Sequence, residues 1–280
     1  MDHINGPLSI LFTGLVCAEL IVRWFFDREG VDWKDSAANI VIGCTDKFLT
    51  LTIWLMLMYA GWSVCYALTP LRIEMSNWWA WPLAILLTDL SYYVYHRVSH
   101  HLRPLWSIHS VHHSSQDYNF TTAIRLSWFS NAYRWLFWVP LPLMGYSPEM
   151  TTIVFMLVRL YQAPVHSTWI PSPPVYSWVF VTPSFHRVHH GRNEKYLNKN
   201  FGGITVIWDK LFGTYQAEDE PVRYGIPNPV NTYNPFRIVL GDLWEWMKRK
   251  RASELQNRPA EQVAERLQSA ENETLTIHEG

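Results

Sequence analysis

Apolar residues crowd the first two thirds of the chain in long runs. Residues 48–68, FLTLTIWLMLMYAGWSVCYAL, hold no charge across 21 positions, and a helix needs about 20 apolar residues to cross a bilayer. That run predicts a membrane-spanning helix. Four more runs are each broken by one or two charges: Glu19 and Arg23 in residues 8–26, Asp89 in 78–95, Arg134 in 129–146 and Arg159 in 150–165. The first lacks the basic start and small-residue cleavage site of a secretory signal, so it predicts a retained span or an interfacial helix. Together the runs predict an all-α integral membrane helical bundle of about four to five spans. Unpartnered charge is costly at membrane depth, so Asp89, Arg134 and Arg159 should face the protein interior or reach for an edge. Trp78, Trp79 and Trp81 cluster where one run begins, as residues of an interfacial belt do.

The runs divide the chain into an N-terminal span and linker (1–47), a central membrane domain (48–240) and a C-terminal interfacial helix with a polar tail (241–280). Residues 48–95 and 129–165 each form a hairpin, so both return the chain to one side of the membrane. After residue 170 the chain turns polar and basic, ending in the run Lys248, Arg249, Lys250 and Arg251. The positive-inside rule then makes that side cytosolic. Around residue 240, Val239, Leu243, Trp246 and Met247 share one helical face ahead of the basic run. This predicts either a helix lying on an anionic leaflet or one packed on the cytosolic part. The tail from about residue 252 is predicted to be frayed. With a net charge of −1, nothing in the electrostatics calls for a nucleic acid. Mean hydropathy, −0.07, averages two unlike halves. Cys17, Cys44 and Cys65 lie in or near apolar runs without metal-ligand spacing, and are read as small buried apolar residues.

Chemistry is concentrated in histidine. Eight of the 12 histidines fall in three clusters: His96 and His100; His109, His112 and His113; His186, His189 and His190. Positions i, i+3 and i+4 lie on one helix face, so each cluster can aim its imidazoles at a common point. Imidazole suits iron, zinc, copper or nickel, whereas magnesium and calcium take mostly oxygen ligands. Eight imidazoles exceed the needs of one ion, which implies a two-metal centre held in a cytosolic helical cap. A zinc hydrolase needs only about three protein ligands. A haem needs an axial pair. A metal transporter places its ligands at broken helices in mid-membrane, whereas here they follow the spans.

The flanking residues carry a resemblance. Asp89, Tyr93, His96, Arg97 and His100 fit D-x-x-x-Y-x-x-H-R-x-x-H; Trp106, His109, His112 and His113 fit W-x-x-H-x-x-H-H; Thr182, Pro183, His186, Arg187, His189 and His190 fit T-P-x-x-H-R-x-H-H. The set resembles the fatty acid hydroxylase and sterol desaturase superfamily over about residues 80–240. Membership would imply an integral membrane oxygenase with two iron ions bound by histidine. HSSQDYNFTTAIR, KNFGG, WDKLFGTYQAE and YGIPNPVNTYNPF are similar to the alkylglycerol monooxygenase group, which hydroxylates the carbon beside an ether oxygen with a tetrahydropterin as reductant. The resemblance therefore implies a lipid substrate and an external electron donor, either a pterin or a protein. Sterol or hopanoid oxidation, fatty acyl hydroxylation and desaturation are the alternatives within the superfamily. Two positions depart from the group: His101 stands in place of a glutamate, and His166-Ser167-Thr168 in place of His-Thr-Glu. In the superfamily a histidine between the second and third clusters is often a ligand, which adds His166 to the eight. Asp89, two helical turns before His96, is expected to accept a hydrogen bond from a ligand's ring nitrogen and fix its tautomer. His101 points about 100° away from the His96/His100 face and is read as a surface residue.

Overall fold

In a computed structural model of the chain, residues 31–256 apart from 171 are described, together with several residues between 14 and 25. Most of the predicted element at residues 8–26, and the tail beyond 256, lie outside the described residues. No strand forms among the described residues beyond two isolated bridges, Ile73 with Tyr146 and Phe180 with Thr205. The all-α expectation holds.

The charge-free run sits in helix α1, Trp33–Ala67, the one described helix long and apolar enough to cross a membrane by length and composition. Asp32 caps it, accepting from the N–H groups of Lys34 and Asp35. No break falls between residues 47 and 48. Instead a π-helical stretch, Thr50–Trp54, lies where the charged half gives way to the apolar half. There Asn131 Nδ2 donates to Thr50 Oγ1 at 2.9 Å.

Helix α2, Ala80–His101, contains the second run. Leu102 is extended (φ −89°, ψ 115°), and Pro104 in the first turn of α3, Arg103–His113, supplies a φ already suited to a helix start. The chain therefore reverses in one residue and lays the second histidine cluster beside the first. Short α4, Phe120–Ile124, is closed by a capping box between Asn119 and Thr122.

The predicted span at 129–146 is not one helix. It divides into α5 (Ser130–Arg134), a 3₁₀ turn (Trp135–Trp138) and α6 (Pro140–Leu143). Pro140 and Pro142 have no N–H to continue the hydrogen-bond ladder. Gly145 then turns the chain at φ +95°, packed so closely on Leu71 that a Cβ would stand 2.8 Å from its carbonyl carbon. Helix α7, Pro148–Gln162, follows, capped by Ser147. Among the described residues one helix is thus long and apolar enough to cross a membrane, against the four to five spans expected.

Trp62, Ala84, Tyr95, Trp138, Met150 and Phe155 are the centre of the main core, which joins α1, α2, α6 and α7. The interrupting charges are accommodated inside. Arg134 is buried and donates to Tyr95 Oη at 3.1 Å, while half-buried Arg159 lies 3.9 Å from Asp46. A second buried network ties α1 to α4: Arg125 donates to Asp35 at 3.1 Å and to Asn39 at 2.6 Å. Glu19 reaches the same region, accepting from Phe120 N–H at 2.6 Å.

Helices α8 (Pro174–Ser177), α9 (Pro183–His189), α10 (Ile207–Leu211) and α11 (Pro235–Gln256) complete the fold. The first half of α11 packs rather than floats: Ile238 and Val239 are buried against Val111, Ala38 and Ile42. Arg103 grips Asp242 through two hydrogen bonds of 2.8 and 2.7 Å. None of the three cysteines is buried. Cys44 and Cys65 ride on α1, whose apolar exterior is exposed, so an apolar neighbourhood in sequence did not mean an interior position.

Close packing of α1 on α4 depends on Gly43, where an added Cβ would sit 2.8 Å from Ile124 Cβ and from its carbonyl oxygen. Gly43→Ala is therefore predicted to lower stability by about 1–3 kcal/mol. Gly241, in α11, has nothing within 4 Å of its Cβ position, so Gly241→Ala should raise stability by up to about 1 kcal/mol. Thermal unfolding of both variants in detergent checks the opposite signs.

Candidate metal centre

Four elements deliver nine buried or half-buried histidines to one region. His96 and His100 come from the end of α2, His109, His112 and His113 from α3, His166 from just past α7, and His186, His189 and His190 from α9. They sort into two groups, His96, His100, His109, His113 and His189 in one and His112, His166, His186 and His190 in the other, with ligand atoms within 4.8 Å of one another in each. All eight cluster histidines and His166 are thus brought together. Contrary to the one-cluster, one-point expectation, α3 and α9 each serve both groups. His109 and His113 stand about 40° apart around α3, while His112 is turned about 60° the other way. One helix thereby presents two ligating edges.

Within the groups the Nε2 atoms approach closely. In the first, His109 lies 3.1 Å from His96 and 3.2 Å from His113, and His113 lies 3.1 Å from His189. In the second, His166 lies 3.2 Å from His112 and 2.9 Å from His186, and His186 lies 3.2 Å from His190. The outer nitrogens determine what these contacts mean. His96 Nδ1 faces the carbonyl of Phe201 at 3.0 Å, His189 Nδ1 that of Lys199 at 3.0 Å, His112 Nδ1 that of Arg125 at 3.3 Å and His166 Nδ1 that of Gln162 at 2.8 Å. A carbonyl only accepts, so in each neutral ring Nδ1 carries the hydrogen and Nε2 points a lone pair inward. His112 and His166 then oppose two lone pairs at 3.2 Å, a repulsive contact without a cation between them. His100 Nε2 is buried with no hydrogen-bond partner.

These residues fit metal ions. Two nitrogens about 2.1 Å from an ion at right angles to each other are about 3.0 Å apart, and at a tetrahedral angle about 3.4 Å. The nearest Nε2 pairs, 2.9–3.2 Å apart, fall in the range that two nitrogens on one ion would span. Burial holds the rings in their neutral, ligating form, pushing His166 down to about 3 and His189 to about 4.

Asp89 does not contact a histidine. Its carboxylate accepts from Ile204 N–H at 2.6 Å, from Thr205 N–H and Oγ1 at 3.2 and 2.6 Å, and from Trp208 Nε1 at 3.0 Å. The expected hydrogen bond to a ligand is instead made by backbone carbonyls, and Asp89 anchors the segment that supplies two of them. Asp209 holds the same segment from the other side, accepting from Phe201 and Gly202 N–H at 2.8 and 2.7 Å. Between these carboxylates, Cβ atoms at Gly202 and Gly203 would lie 2.4 Å from Thr205 O and 2.8 Å from the Tyr92 ring. Asn198 and Asn200 take left-handed backbone conformations, φ 58° and 61°. Sequence reading missed Asp209 and Arg125. The signal was present in KNFGG and TTAIR, motifs that read as family markers before their carbonyls were seen to face histidines.

His101 lies outside both groups, exposed, with Nδ1 facing Arg97 O at 2.7 Å. Arg187 pairs with Glu218 at 2.6 Å and donates to Ser167 O at 3.0 Å, bracing the residue next to His166.

Residues 81–214, which contain all nine histidines, match the fatty acid hydroxylase family. The chain thus carries a fatty acid hydroxylase domain. The chain is 35% identical over 237 residues to the alkylglycerol monooxygenase of Homo sapiens, covering 83% of this chain and 52% of that protein. To the Xenopus tropicalis alkylglycerol monooxygenase it is 31% identical over 245 residues, 85% of this chain and 53% of the relative. The ornithine lipid hydroxylase OlsE of Rhizobium tropici is 25% identical over 162 residues, 52% of this chain and 47% of that one. The chain thus spans about half the length of the alkylglycerol monooxygenases it matches. No solved structure matches it.

Two predictions follow from the carbonyl-fixed rings. Asp89→Asn turns an amide N–H₂ toward donors, so the 203–208 segment should loosen and metal affinity fall about 10–100-fold, measured by competition with a chelator; unchanged affinity would remove Asp89 from the support of the site. The second concerns pH. In the unfolded chain the histidines protonate near 6.5, whereas folded His189 and His166 resist to about 4 and about 3. Below pH 6.5 the unfolded state therefore binds more protons, and stability of the metal-free fold should drop steadily as pH falls. Denaturation midpoints of chelator-treated protein at pH 7.5 and 5 test the sign.

Proposed function

We propose that this chain is a membrane-bound diiron oxygenase that hydroxylates a lipid C–H bond with O₂, the favoured substrate being an alkylglycerol ether lipid. One observation carries the metal reading: nine histidines in two groups, four of them with ring tautomers set by carbonyls so that lone pairs converge. Two irons held there would supply the oxygen activation that no side chain provides. The first is assigned to His96, His100, His109, His113 and His189, and the second to His112, His166, His186 and His190. Four or five imidazoles in each group exceed the roughly three protein ligands of a zinc hydrolase site.

The chain's own part is to hold the rings, keep the site dry and direct the lipid. Asp89, Asp209 and Arg125 act as positioning residues, since each fixes a backbone carbonyl that orients a ligand. In the favoured reaction, hydroxylation next to the ether oxygen gives a hemiacetal, whose C–O bond breaks to release an aldehyde and a glycerol. This consumes O₂ and two electrons, from a tetrahydropterin or another external donor. The substrate assignment is supported by the similarity to alkylglycerol monooxygenases along more than four fifths of the chain. The alternatives are sterol, hopanoid or fatty acyl hydroxylation or desaturation. We further place α1, α2 and α7 in the bilayer, the histidines at its cytosolic face, and the domain limits near residues 48 and 240.

Purified protein in nanodiscs should hold two irons and show O₂-dependent loss of alkylglycerol when given tetrahydropterin. His113→Ala and His186→Ala, one from each group, should each lower turnover by at least about 100-fold. Stoichiometric zinc with oxygen-independent hydrolysis would overturn the oxygenase. A hydroxylated acyl chain or sterol in place of ether cleavage would overturn the substrate.

A further inference from the structure

We propose that residues 172–180 and helix α10 form a wedge seated in the lipid leaflet beside α2, its partner a lipid surface. The proposal rests on the bilayer placement of α2 made above. The two segments are stitched together: Val206 N–H donates to Val179 O at 2.9 Å, Val181 N–H to Ile204 O at 2.8 Å and Lys210 Nζ to Trp178 O at 2.7 Å. Their outer surface is apolar and open, with Val175 83%, Trp178 74%, Leu211 66% and Phe212 48% exposed.

Depth comes from Asp89. It lies seven residues before His96 on α2, about 10 Å toward the middle of the apolar run. Because Asp89 binds Ile204, Thr205 and Trp208, that segment must sit alongside α2 at the level of its apolar stretch, below the histidines rather than above them. Backbone N–H groups at that depth have no water to bond. Here they are satisfied by the buried carboxylate and by the paired 179–181 segment.

Continuity points the same way. Leu83, Leu86 and Val94 form one exposed stripe on α2, and the stripe runs into a shallow cavity lined by Tyr93, Val94, Arg97, Val98 and Phe212. The exposed apolar side of α2 therefore meets that of α10 at Val94 and Phe212, with Arg97 at the edge of the junction. Residues 169–182 carry no charged side chain, and Lys210 turns its amine back to a carbonyl, as cations do at a membrane edge. A docking site for a charged electron-donor protein would show the opposite pattern.

The test uses the full chain with Cys17, Cys44 and Cys65 replaced by Ala, in vesicles of phosphatidylcholine and phosphatidylglycerol. A nitrobenzoxadiazole label is placed singly through Leu86→Cys, Val175→Cys, Leu211→Cys and Lys195→Cys. Labels at 175 and 211 should be quenched by doxyl lipids as strongly as at 86, and by aqueous iodide at least about fivefold less than at 195. If 86 is lipid-exposed but 175 and 211 respond to iodide like 195, the wedge is overturned and the bilayer placement of α2 survives. If neither quencher reaches 175 and 211, a protein surface covers them and the lipid partner is wrong. Iodide quenching at 86 would overturn the placement of α2 itself.

Discussion

A backbone carbonyl can only accept a hydrogen, and the whole centre depends on that asymmetry. Four histidines face carbonyls through Nδ1, so their Nε2 lone pairs must point into the site. The energetic consequence is large, because inward lone pairs separated by about 3 Å oppose one another in a region from which water is excluded. Folding alone cannot satisfy them. A cation bound there would resolve the repulsion and return its binding energy to the fold, coupling metal loading to folding. The long polar networks around the site follow from the same constraint. Each carbonyl must be held at a fixed place, which is why Arg125 is clasped by Asp35, Asn39 and Ser114, and why residues 199–205 lie between two buried aspartates.

Helical geometry then determines how nine rings become two groups. Consecutive histidines such as His112 and His113 diverge by about 100°, and the i, i+4 pairs His109/His113 and His186/His190 converge. A cluster of the form H-x-x-H-H therefore cannot serve a single point with all three rings. It serves two neighbouring points, and α3 and α9 do so in complementary fashion: two rings of α3 join the first group and one the second, while α9 gives one to the first and two to the second.

Much of this was legible in the sequence because it is local. Helix-periodic histidines, the uncharged run at 48–68 and the placement of His166 after an apolar helix all depend on a few neighbouring residues, and each maps onto the structure. What escaped depends on contacts far apart in the chain. Asp89 is 115 residues from Ile204, and nothing in its own neighbourhood distinguishes a partner for an imidazole from a partner for backbone N–H groups. The broken 129–146 segment was foreseeable from Pro140 and Pro142, since composition alone scores them as part of an apolar run while their backbones cannot continue a helix. For the cysteines, apolar neighbours in sequence did not mean burial, since Cys44 and Cys65 lie on a helix whose apolar exterior is exposed.

A carboxylate in an otherwise apolar stretch of helix demands a physical reason. An aspartate two turns below the histidines would be a severe cost if it faced lipid, and is an unusual choice if its task were only to orient a ring from which it is remote. Its four hydrogen bonds instead come from a segment that has no ladder of its own, since only isolated bridges join it to its neighbours. Irregular backbone is tolerated at membrane depth only where protein satisfies its polar groups. With α2 in the bilayer as proposed, Asp89 would meet that requirement with one side chain, while Asp209 holds the N–H of Phe201, whose carbonyl faces His96.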